Sequence, residues 1–210
     1  MSDWAQLQQA LISGDGEELC RRVRQALDQG VSAKDILNQA LIPAMDVVGE
    51  RMENEDMFIP EVLMAAKAMS AAVDILKPLL AADDLSAAGK VVIGTVKGDL
   101  HDIGKNLVAM MMESAGFEVK DLGVDVAPDA FVAAARDNGA QLVCLSALLT
   151  TTMPMMKETV EALESAGLRD KVKVMVGGAP VTRAFAASIN ADGYAPDAGS
   201  AAKLAKSLVQ

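Results

Sequence analysis

The single histidine of this 210-residue chain, His101, lies in the segment KGDLHDIGKN. A neutral imidazole can bind a metal through one ring nitrogen, and a carboxylate that accepts a hydrogen bond from the other nitrogen fixes the tautomer and raises the basicity of the ligand. Asp99, two residues before His101, could supply that carboxylate. One protein ligand cannot hold a bare transition metal, so the metal would have to arrive in a macrocycle that fills its other positions.

The residues on either side of this segment predict where His101 lies in the fold. GKVVIGTVKG is typical of a buried strand that runs into a loop, and KNLVAMMMESAG is typical of a helix that ends at Gly116. In parallel α/β sheets, ligands bind at such strand-to-helix turns, over the carboxyl ends of the strands. We therefore expect His101 at this edge of a sheet.

Two other segments fall at the same predicted edge. SALLTTT, residues 146–152, follows the third strand, and Gly177 and Gly178 follow the fourth. A run of hydroxyl residues is often only a helix N-cap, and a glycine pair often only a tight turn. Their shared placement with His101 nevertheless favours a binding site.

A nucleotide site is a poor interpretation of the same loop. Gly98 to Lys105 resembles a phosphate loop in outline, but it has one residue too many between its glycines, and Asn106 stands where a magnesium-binding hydroxyl is needed. The carboxylates of Asp99 and Asp102 would also oppose a triphosphate.

The hydrophobic period changes once along the chain and predicts two domains. Residues 1–85 have helical spacing, which indicates four helices in an antiparallel bundle. Residues 86–210 alternate strands and helices over five units, which predicts a flavodoxin-like (Rossmann-like), doubly wound, five-stranded parallel sheet. The polar segment DDLSAAGK, residues 83–90, is the expected linker and hinge between them. The fold class is α/β with an N-terminal helical bundle.

Residues that typically begin or interrupt helices support the number of helices predicted in the helical half. Asp15 with Glu18, and Ser32 with Asp35, resemble N-terminal capping pairs. Pro43 lies inside the predicted third helix and should kink it.

Composition excludes several classes of function. The net charge of −10 repels phosphate backbones, so we expect no nucleic-acid partner. No apolar run reaches the length of a membrane span and the N-terminus does not resemble a signal peptide, so we expect a cytoplasmic protein with no membrane partner. Cys20 and Cys144 show no paired spacing and are expected to be small core residues.

Three segments of the chain resemble the signature of cobalamin-binding domains. They are Asp99-x-His101-x-x-Gly104, Ser146-x-Leu148 and Gly177-Gly178. With MFIPEV at the start of the fourth helix, nearly the whole chain is similar to the stand-alone corrinoid proteins of methylamine, methanol and methoxy-compound methyltransferase systems. It also resembles the cobalamin-binding region of methionine synthase.

The resemblance implies a role for each matching residue. His101 would replace the dimethylbenzimidazole base of the cofactor as lower axial ligand of cobalt, with Asp99 as its hydrogen-bond partner and Thr152 at the position where methionine synthase has the serine of a proton relay. Small residues near the glycine pair would make room for the displaced base. The implied corrinoid contacts are Gly98, Asp99, Leu100, His101, Asp102, Ile103, Gly104, Ser146, Leu148, Thr150, Gly177 and Gly178, with Ile59, Met52 and Phe58 covering the upper face from the bundle.

The resemblance also implies a function and partners. Cobalt(I) of a bound cobalamin or related corrinoid would take a methyl group from a methylamine, betaine, methanol or methoxy compound on a partner methyltransferase. A second methyltransferase would pass it to coenzyme M or tetrahydrofolate, and a reductive activation protein would restore cobalt(I). The chain would be a corrinoid subunit of methanogenesis or one-carbon metabolism rather than a complete enzyme. A cobalamin sensor and the small subunit of a cobalamin-dependent mutase are the alternatives.

Overall fold

The computed structural model describes residues 4–80 and 88–209. The chain divides into two compact units, the first formed by residues 1–87 with 114–116 and the second by residues 88–113 with 117–210. Of the predicted linker, residues 83–87 lie outside the described part. Gly89 and Lys90, which we expected to be linker, already belong to the first strand.

The helical unit contains the four helices that its periodicity predicts. The helix Gly16–Asp28 packs against the last long helix, Ile59–Leu76, and the helix Trp4–Ile12 packs against Ile42–Glu53. The third predicted helix is continuous but changes geometry along its length, from α to π and back to α. The bounds are α1 Trp4–Ile12, α2 Gly16–Asp28, α3 Ala33–Ile36, a π-helical turn Leu37–Leu41, α4 Ile42–Glu53, α5 Ile59–Leu76 and a 3₁₀ turn Lys77–Leu79.

Both predicted capping pairs are present. The Asp15 carboxylate accepts a hydrogen bond from the backbone N–H of Glu18 at 3.0 Å. The Ser32 hydroxyl accepts one from the N–H of Asp35, also at 3.0 Å. Each side chain satisfies a helix N–H that has no carbonyl partner within the helix, so these contacts define where α2 and α3 begin.

A π-helical turn, Leu37–Leu41, lies just before Pro43, where we predicted a kink. Pro43 has no N–H to offer to the carbonyl of Gln39, four residues earlier. The N–H of Ile42 bonds instead to the carbonyl of Leu37, five residues back, and the side-chain amide of Gln8 donates to the Gln39 carbonyl at 3.2 Å. The wider turn thus accommodates the missing donor, and a side chain from α1 satisfies the acceptor that it frees.

The second unit is the predicted flavodoxin-like domain. The bounds of its elements are β1 Gly89–Thr95, α6 Ile103–Ser114, β2 Phe117–Asp121, α7 Pro128–Asn138, β3 Leu142–Ser146, α8 Pro154–Ser165, β4 Lys173–Gly177, α9 Arg183–Ser188, β5 Gly193–Tyr194 and α10 Ala198–Val209. The five strands are all parallel and lie in the sheet in the order β2-β1-β3-β4-β5. This order reverses direction beside β1, which makes the β1/β3 edge the switch point where such folds bind ligands.

Register brings three chain segments together at that edge. Thr95 at the end of β1 pairs with Ser146 at the end of β3, and Ser146 pairs with Gly177 at the end of β4. The loops that follow these strands therefore start side by side. Beneath them, the apolar residues of β1, β3 and β4 are buried between the helix layers.

The two cysteines differ in burial. Cys144 is buried in β3, as predicted, whereas Cys20 on α2 is only partly buried, so its expected place in the core was wrong. Its helix buries Leu19 and Val23, one position before and three after, which turns Cys20 toward the boundary of the buried stripe.

Neither described part of the chain contains a helix long and apolar enough to cross a membrane.

Candidate functional site

A fully buried carboxylate, Asp99, lies at the centre of the site. Its Oδ1 atom accepts hydrogen bonds from two groups of His101, the ring Nδ1 at 2.7 Å and the backbone N–H at 3.1 Å. The loop after β1 therefore folds back on itself over two residues, and the imidazole is held by the carboxylate that the sequence pairs with it.

The other oxygen of Asp99 binds the loop that follows β3. Its Oδ2 atom accepts from the backbone N–H of Leu148 at 2.8 Å, from that of Leu149 at 3.3 Å and from the hydroxyl of Thr152 at 2.7 Å. One side chain thus connects two loops that are about fifty residues apart in sequence.

These hydrogen bonds decide the charge of Asp99. Burial by itself would raise the pKa of the carboxyl, but the hydrogen bonds from the His101 ring, Thr152 and the backbone N–H groups of Leu148 and His101 outweigh it. The pKa of Asp99 is therefore held well below its ordinary value, because every partner stabilises the anion. The carboxylate is charged at neutral pH.

The charge of Asp99 in turn assigns the tautomer of His101. A carboxylate can only accept, so Nδ1 must carry the hydrogen that lies between the two residues. The lone pair of the neutral ring is then on Nε2. The side chain of His101 is 51 % exposed, so the imidazole can present this nitrogen to a bound metal.

The hydroxyl of Thr152 has two acceptors within reach. Its Oγ1 atom lies 2.7 Å from Oδ2 of Asp99 and 2.9 Å from the carbonyl oxygen of Leu149. A hydroxyl has one hydrogen, so it donates to one of them at a time and can change partner if Asp99 gains a proton. Although α8 begins at Pro154, Thr152 does not act as the simple helix cap that a hydroxyl run often indicates.

Two residues that support the loop were missed by sequence reasoning. The buried hydroxyl of Thr95 donates to the carbonyl of His101 at 2.8 Å, and Oδ1 of Asp125 accepts from the N–H of Gly98 at 2.7 Å. Thr95 could have been found from the sequence, because it is a polar residue at the end of an otherwise apolar strand. No local pattern marks Asp125, because its contact with Gly98 spans 27 residues.

Three glycines of the predicted site differ in whether the surrounding structure leaves room for a side chain. A Cβ atom at Gly178 would lie 1.9 Å from the carbonyl oxygen of Ala147, and its φ of +126° disfavours any other residue. A Cβ at Gly177 would lie 3.1 Å from the carbonyl of Ala195. At Gly104, apart from its chain neighbours and its own helix backbone, no atom of the described residues lies within 4 Å of an added Cβ. Its φ is not in the left-handed region, so the described part of the protein does not require a glycine there.

Apolar side chains surround His101 on the surface. Leu100 and Ile103, which flank it in the loop, are 71 % and 79 % exposed, and Leu148 and Leu149 across the loop are also exposed. Large apolar side chains at such exposure are typical of a surface that binds an apolar partner. Of the other predicted contacts in this unit, Asp102 and Thr150 are exposed and Ser146 is partly buried.

The predicted contacts from the helical unit lie on two helices. Met52 is partly buried near the end of α4, and Ile59, the first residue of α5, is exposed. Phe58, just before Ile59, is also exposed. None of the three belongs to the hydrogen-bonded cluster around Asp99.

Within residues 4–80 and 88–209, no group of three or more histidine, cysteine, aspartate or glutamate side chains is placed to hold a metal ion. A metal bound at His101 would therefore need its remaining ligands from a group that it brings with it.

Family comparisons decide what that group is. Two family models match the chain, both described as a B12 binding domain, one over residues 89–203 and the other over residues 4–77. The chain belongs to the B12-binding domain family. Its cofactor is cobalamin or a related corrinoid, which brings a cobalt ion already held in a macrocycle.

Relatives of this B12-binding protein match along almost its whole length. It is 41% identical to a corrinoid protein of Desulfitobacterium hafniense (strain Y51), over 100% of this chain and 98% of the relative. It is 44% identical to the dimethylamine corrinoid protein of Methanosarcina barkeri, over 97% of this chain and 96% of the relative. Among solved structures, the methanol:cobalamin methyltransferase complex MtaBC of Methanosarcina barkeri matches with a TM-score of 0.86 and 29% identity, over 98% of this chain and 79% of that one.

The residues present fit this cofactor. His101 offers one nitrogen donor, and a metal that arrives in a macrocycle would need few further ligands from the protein. The side chains of Leu100, Ile103 and Leu148 are exposed and would be available for apolar contact with a large ring, and the space beside Gly104 would let such a ring approach the backbone. A Cβ at Gly104 would take up part of that space.

Proposed function

We propose that this protein carries methyl groups between two methyltransferases, with His101 as the lower axial ligand of the corrinoid cobalt. When bound, the corrinoid supplies a cobalt centre that can accept a methyl group and release it. The relative named for dimethylamine and the methanol:cobalamin methyltransferase complex support this class of function. The observation that carries the proposal is the 2.7 Å contact between Nδ1 of His101 and buried Asp99, which leaves Nε2 as the donor.

His101, Asp99 and Thr152 can hold a proton when the imidazole is not needed as a ligand. A proton added at Nε2 gives an imidazolium whose Nδ1–H still donates to the Asp99 carboxylate, so no buried hydrogen bond is lost. Thr152 keeps donating to Oδ2, which remains an acceptor whether the proton between Nδ1 and Oδ1 lies on the ring or on the carboxyl group. The three side chains thus keep the ring in place whether or not Nε2 is free.

The other predicted contacts would bind the rest of the cofactor. Leu100, Ile103 and Leu148 would pack on the corrin ring and exclude water from the metal. The edge formed by Ser146, Thr150, Gly177 and Gly178 would take the displaced nucleotide tail. The register of β3 and β4, which places Ser146 beside Gly177, supports this second assignment.

We extend the proposal to the helical unit. Residues 1–85 would contribute corrinoid contacts from Ile59, Met52 and Phe58. The exposure of Phe58 and Ile59 at the start of α5 supports this assignment, because two neighbouring large apolar side chains are seldom left to solvent without a partner.

The partners would be a donor-specific methyltransferase, a second methyltransferase that acts on coenzyme M or tetrahydrofolate, and a reductive activation protein. The donor would be a methylamine, betaine, methanol or a methoxy compound. Dimethylamine is the first to test, because the chain is 44% identical to a protein named for it.

Reconstitution tests this function directly. The protein would be loaded with hydroxocobalamin, reduced without oxygen and mixed with donor-specific methyltransferases for dimethylamine, methanol, betaine or methoxyaromatic compounds. Each mixture would also contain the second methyltransferases that act on coenzyme M and on tetrahydrofolate. Isotopically labelled methyl groups would be followed into coenzyme M and tetrahydrofolate. We expect one donor to give transfer that depends on the loaded protein, and much slower transfer with His101→Ala. If no donor gave transfer above that of the same mixture without the protein, the proposed function would be wrong.

A further inference from the structure

We propose that Asp125 and Thr95 are positioning residues for His101, which hold the backbone of its loop so that the imidazole reaches the cobalt in one place. This inference rests on the proposed function, because it takes His101 to be the axial ligand. Neither residue contacts the imidazole itself, and neither was predicted as part of the site. Their effect would pass through the main chain of residues 98–101.

Asp125 holds two consecutive residues of the loop at once. Its carboxylate Oδ1 accepts from the N–H of Gly98 at 2.7 Å, and its own N–H donates to the carbonyl of Asp99 at 2.9 Å. A carboxylate acceptor makes the first of these a charge-assisted hydrogen bond, which is stronger than a neutral one. The two bonds fix the main chain of Gly98 and Asp99 just before His101.

The backbone of Asp125 is itself strained. Its φ of +54° lies in the left-handed region, which aspartate tolerates better than most residues but still adopts at a cost. Such strain persists only where the surroundings determine the conformation, and it is concentrated at functional sites. Pairing beyond the end of β2 supplies the surroundings: the N–H of Val126 donates to the carbonyl of Thr95 at 3.0 Å, and the N–H of Thr95 to that of Gly123 at 2.9 Å.

Thr95 holds the other end of the loop. Its side chain is fully buried, and its hydroxyl donates to the carbonyl of His101 at 2.8 Å. Asp125 and Thr95 together fix the main chain at Gly98, Asp99 and His101, the three positions around the site's central hydrogen bonds. The backbone of the ligand is thus set by residues from β1 and from the segment after β2.

Holding the backbone of this loop matters because the strength of metal binding depends on where the ligand atom lies. A ligand must be held within about half an ångström of its productive place to bind well. The Asp99 carboxylate orients the ring and binds the loop after β3, but it does not fix the carbonyl of His101 or the N–H of Gly98. Asp125 and Thr95 connect that loop to the sheet, so they would set how far the imidazole lies from the metal.

One property of the chain makes this measurable. His101 is the only histidine, so ¹⁵N-histidine labels a single ring when the purified protein has no histidine tag. In the Co(II) state of the bound corrinoid, an axial nitrogen splits the electron paramagnetic resonance lines, and ¹⁵N changes that splitting from the pattern of ¹⁴N. The spectrum therefore reports the fraction of protein in which His101, and not the cofactor's own base, is bound.

The first experiment compares Asp125→Gly with Asp125→Asn. Both residues accept a positive φ, but only asparagine keeps an oxygen acceptor for the N–H of Gly98. We expect Asp125→Gly to lower the ratio of bound to unbound His101 by roughly threefold to tenfold, the range that the loss of one hydrogen bond of ordinary strength corresponds to. Asp125→Asn keeps a neutral acceptor and should lower the ratio clearly less than Asp125→Gly does. Asn190→Gly, at another positive φ in the same unit, is the matched control and should change nothing.

The second experiment tests the inference through Thr95, so that it can be decided even if Asp125→Gly does not fold. Thr95→Val retains a buried, β-branched side chain but removes the donor to the carbonyl of His101, whereas Thr95→Ser retains the donor. We expect the His101-bound fraction to fall in the valine variant and to recover in the serine variant.

The outcomes separate this inference from the proposed function. If wild-type protein showed no ¹⁵N splitting, the assignment of His101 as ligand would fail, and the inference with it. If wild-type protein showed it and Asp125→Gly and Thr95→Val both kept the full His101-bound fraction, only the inference would be wrong. A loss of stability without a change in that fraction would mean that the two residues are merely structural. Equal losses in Asp125→Gly and Asp125→Asn would contradict positioning through the oxygen acceptor.

Discussion

Oδ1 of Asp99 lies 2.7 Å from Nδ1 of His101, while Oδ2 of the same carboxylate lies 2.7 Å from the hydroxyl of Thr152. One buried anion therefore joins the loop that carries the predicted cobalt ligand to the loop that follows β3. Because the carboxylate is fully buried, the loss of one partner weakens the set of hydrogen bonds that holds both loops. Substitutions on either side should consequently be felt on the other.

Replacing His101 should change how the corrinoid is bound without abolishing its binding. His101→Ala removes the imidazole but leaves the apolar surface of Leu100, Ile103 and Leu148 and the edge after β3 and β4. We expect the variant to retain corrinoid and to show the visible spectrum of a cofactor with no lower nitrogen ligand. An unchanged spectrum with a bound lower base would contradict the assignment of His101.

Replacing Asp99 should cost stability even without cofactor. In Asp99→Asn, an N–H₂ group replaces one oxygen, and it would face the N–H groups of Leu148 and Leu149 if the amide oxygen kept its bond to His101. Buried donors would then lack an acceptor, which should lower the free energy of unfolding by about 3 kcal/mol. Urea denaturation of cofactor-free protein would measure it, with exposed Asp102→Asn as the control that should change it by less than about 0.5 kcal/mol.

The stability difference between wild type and Asp99→Asn should depend on pH. The hydrogen bonds that outweigh burial hold the pKa of Asp99 below its value in the unfolded chain, which is near 3.9. The stabilisation is therefore complete above roughly pH 5 and is lost as the pH falls from there toward the folded pKa, by up to about 1.4 kcal/mol per pH unit. Urea denaturation of the cofactor-free proteins from pH 7 to pH 3 should show the difference shrinking. A difference that stayed constant would show that Asp99 has an ordinary pKa in the folded protein.

The hydroxyl of Thr152 should matter more than its methyl group. Thr152→Val keeps the shape but removes a donor to the buried carboxylate, so we expect a loss of about 1–3 kcal/mol in the free energy of unfolding. Thr152→Ser keeps the donor and should lose no more than about 1 kcal/mol, for one buried methyl group. The same denaturation experiment distinguishes them, and equal losses would mean that the contact of 2.7 Å to Asp99 contributes little.

Two glycines of the site should respond in opposite ways to alanine. At Gly178 the new Cβ would meet the Ala147 carbonyl at 1.9 Å, so we expect Gly178→Ala to be poorly folded by circular dichroism. At Gly104, in the first turn of α6, nothing lies within 4 Å, so Gly104→Ala should fold normally and gain up to about 1 kcal/mol from helix propensity.

Gly104→Ala then tests whether the cofactor, rather than the protein, requires that glycine. We expect the variant to bind hydroxocobalamin more weakly than the wild type in a spectroscopic titration, despite equal or higher stability. Wild-type affinity in Gly104→Ala would show that the corrinoid does not approach the backbone there.

The fold was predictable because its signals are local. The alternation of strands and helices follows from the hydrophobic period within each short segment, and the parallel order follows from the length of the crossovers. The capping contacts of Asp15 and Ser32 reach only three residues along the chain, so the residue types at that spacing were sufficient. Cys20 was misplaced because its position at the margin of a helical stripe depends on what packs against α2, which periodicity does not show.

For the site, the sequence by itself determined the residues that are close along the chain and those that a family signature marks. His101 and Asp99 are two residues apart, and the resemblance to methionine synthase added Thr152. Only the tertiary structure brought in Asp125 and Thr95, and only it showed that the Ala147 carbonyl excludes any side chain at Gly178. The physical reason is that these contacts depend on strand register and on the approach of loops from different parts of the chain, and neither leaves a pattern in the residues around them.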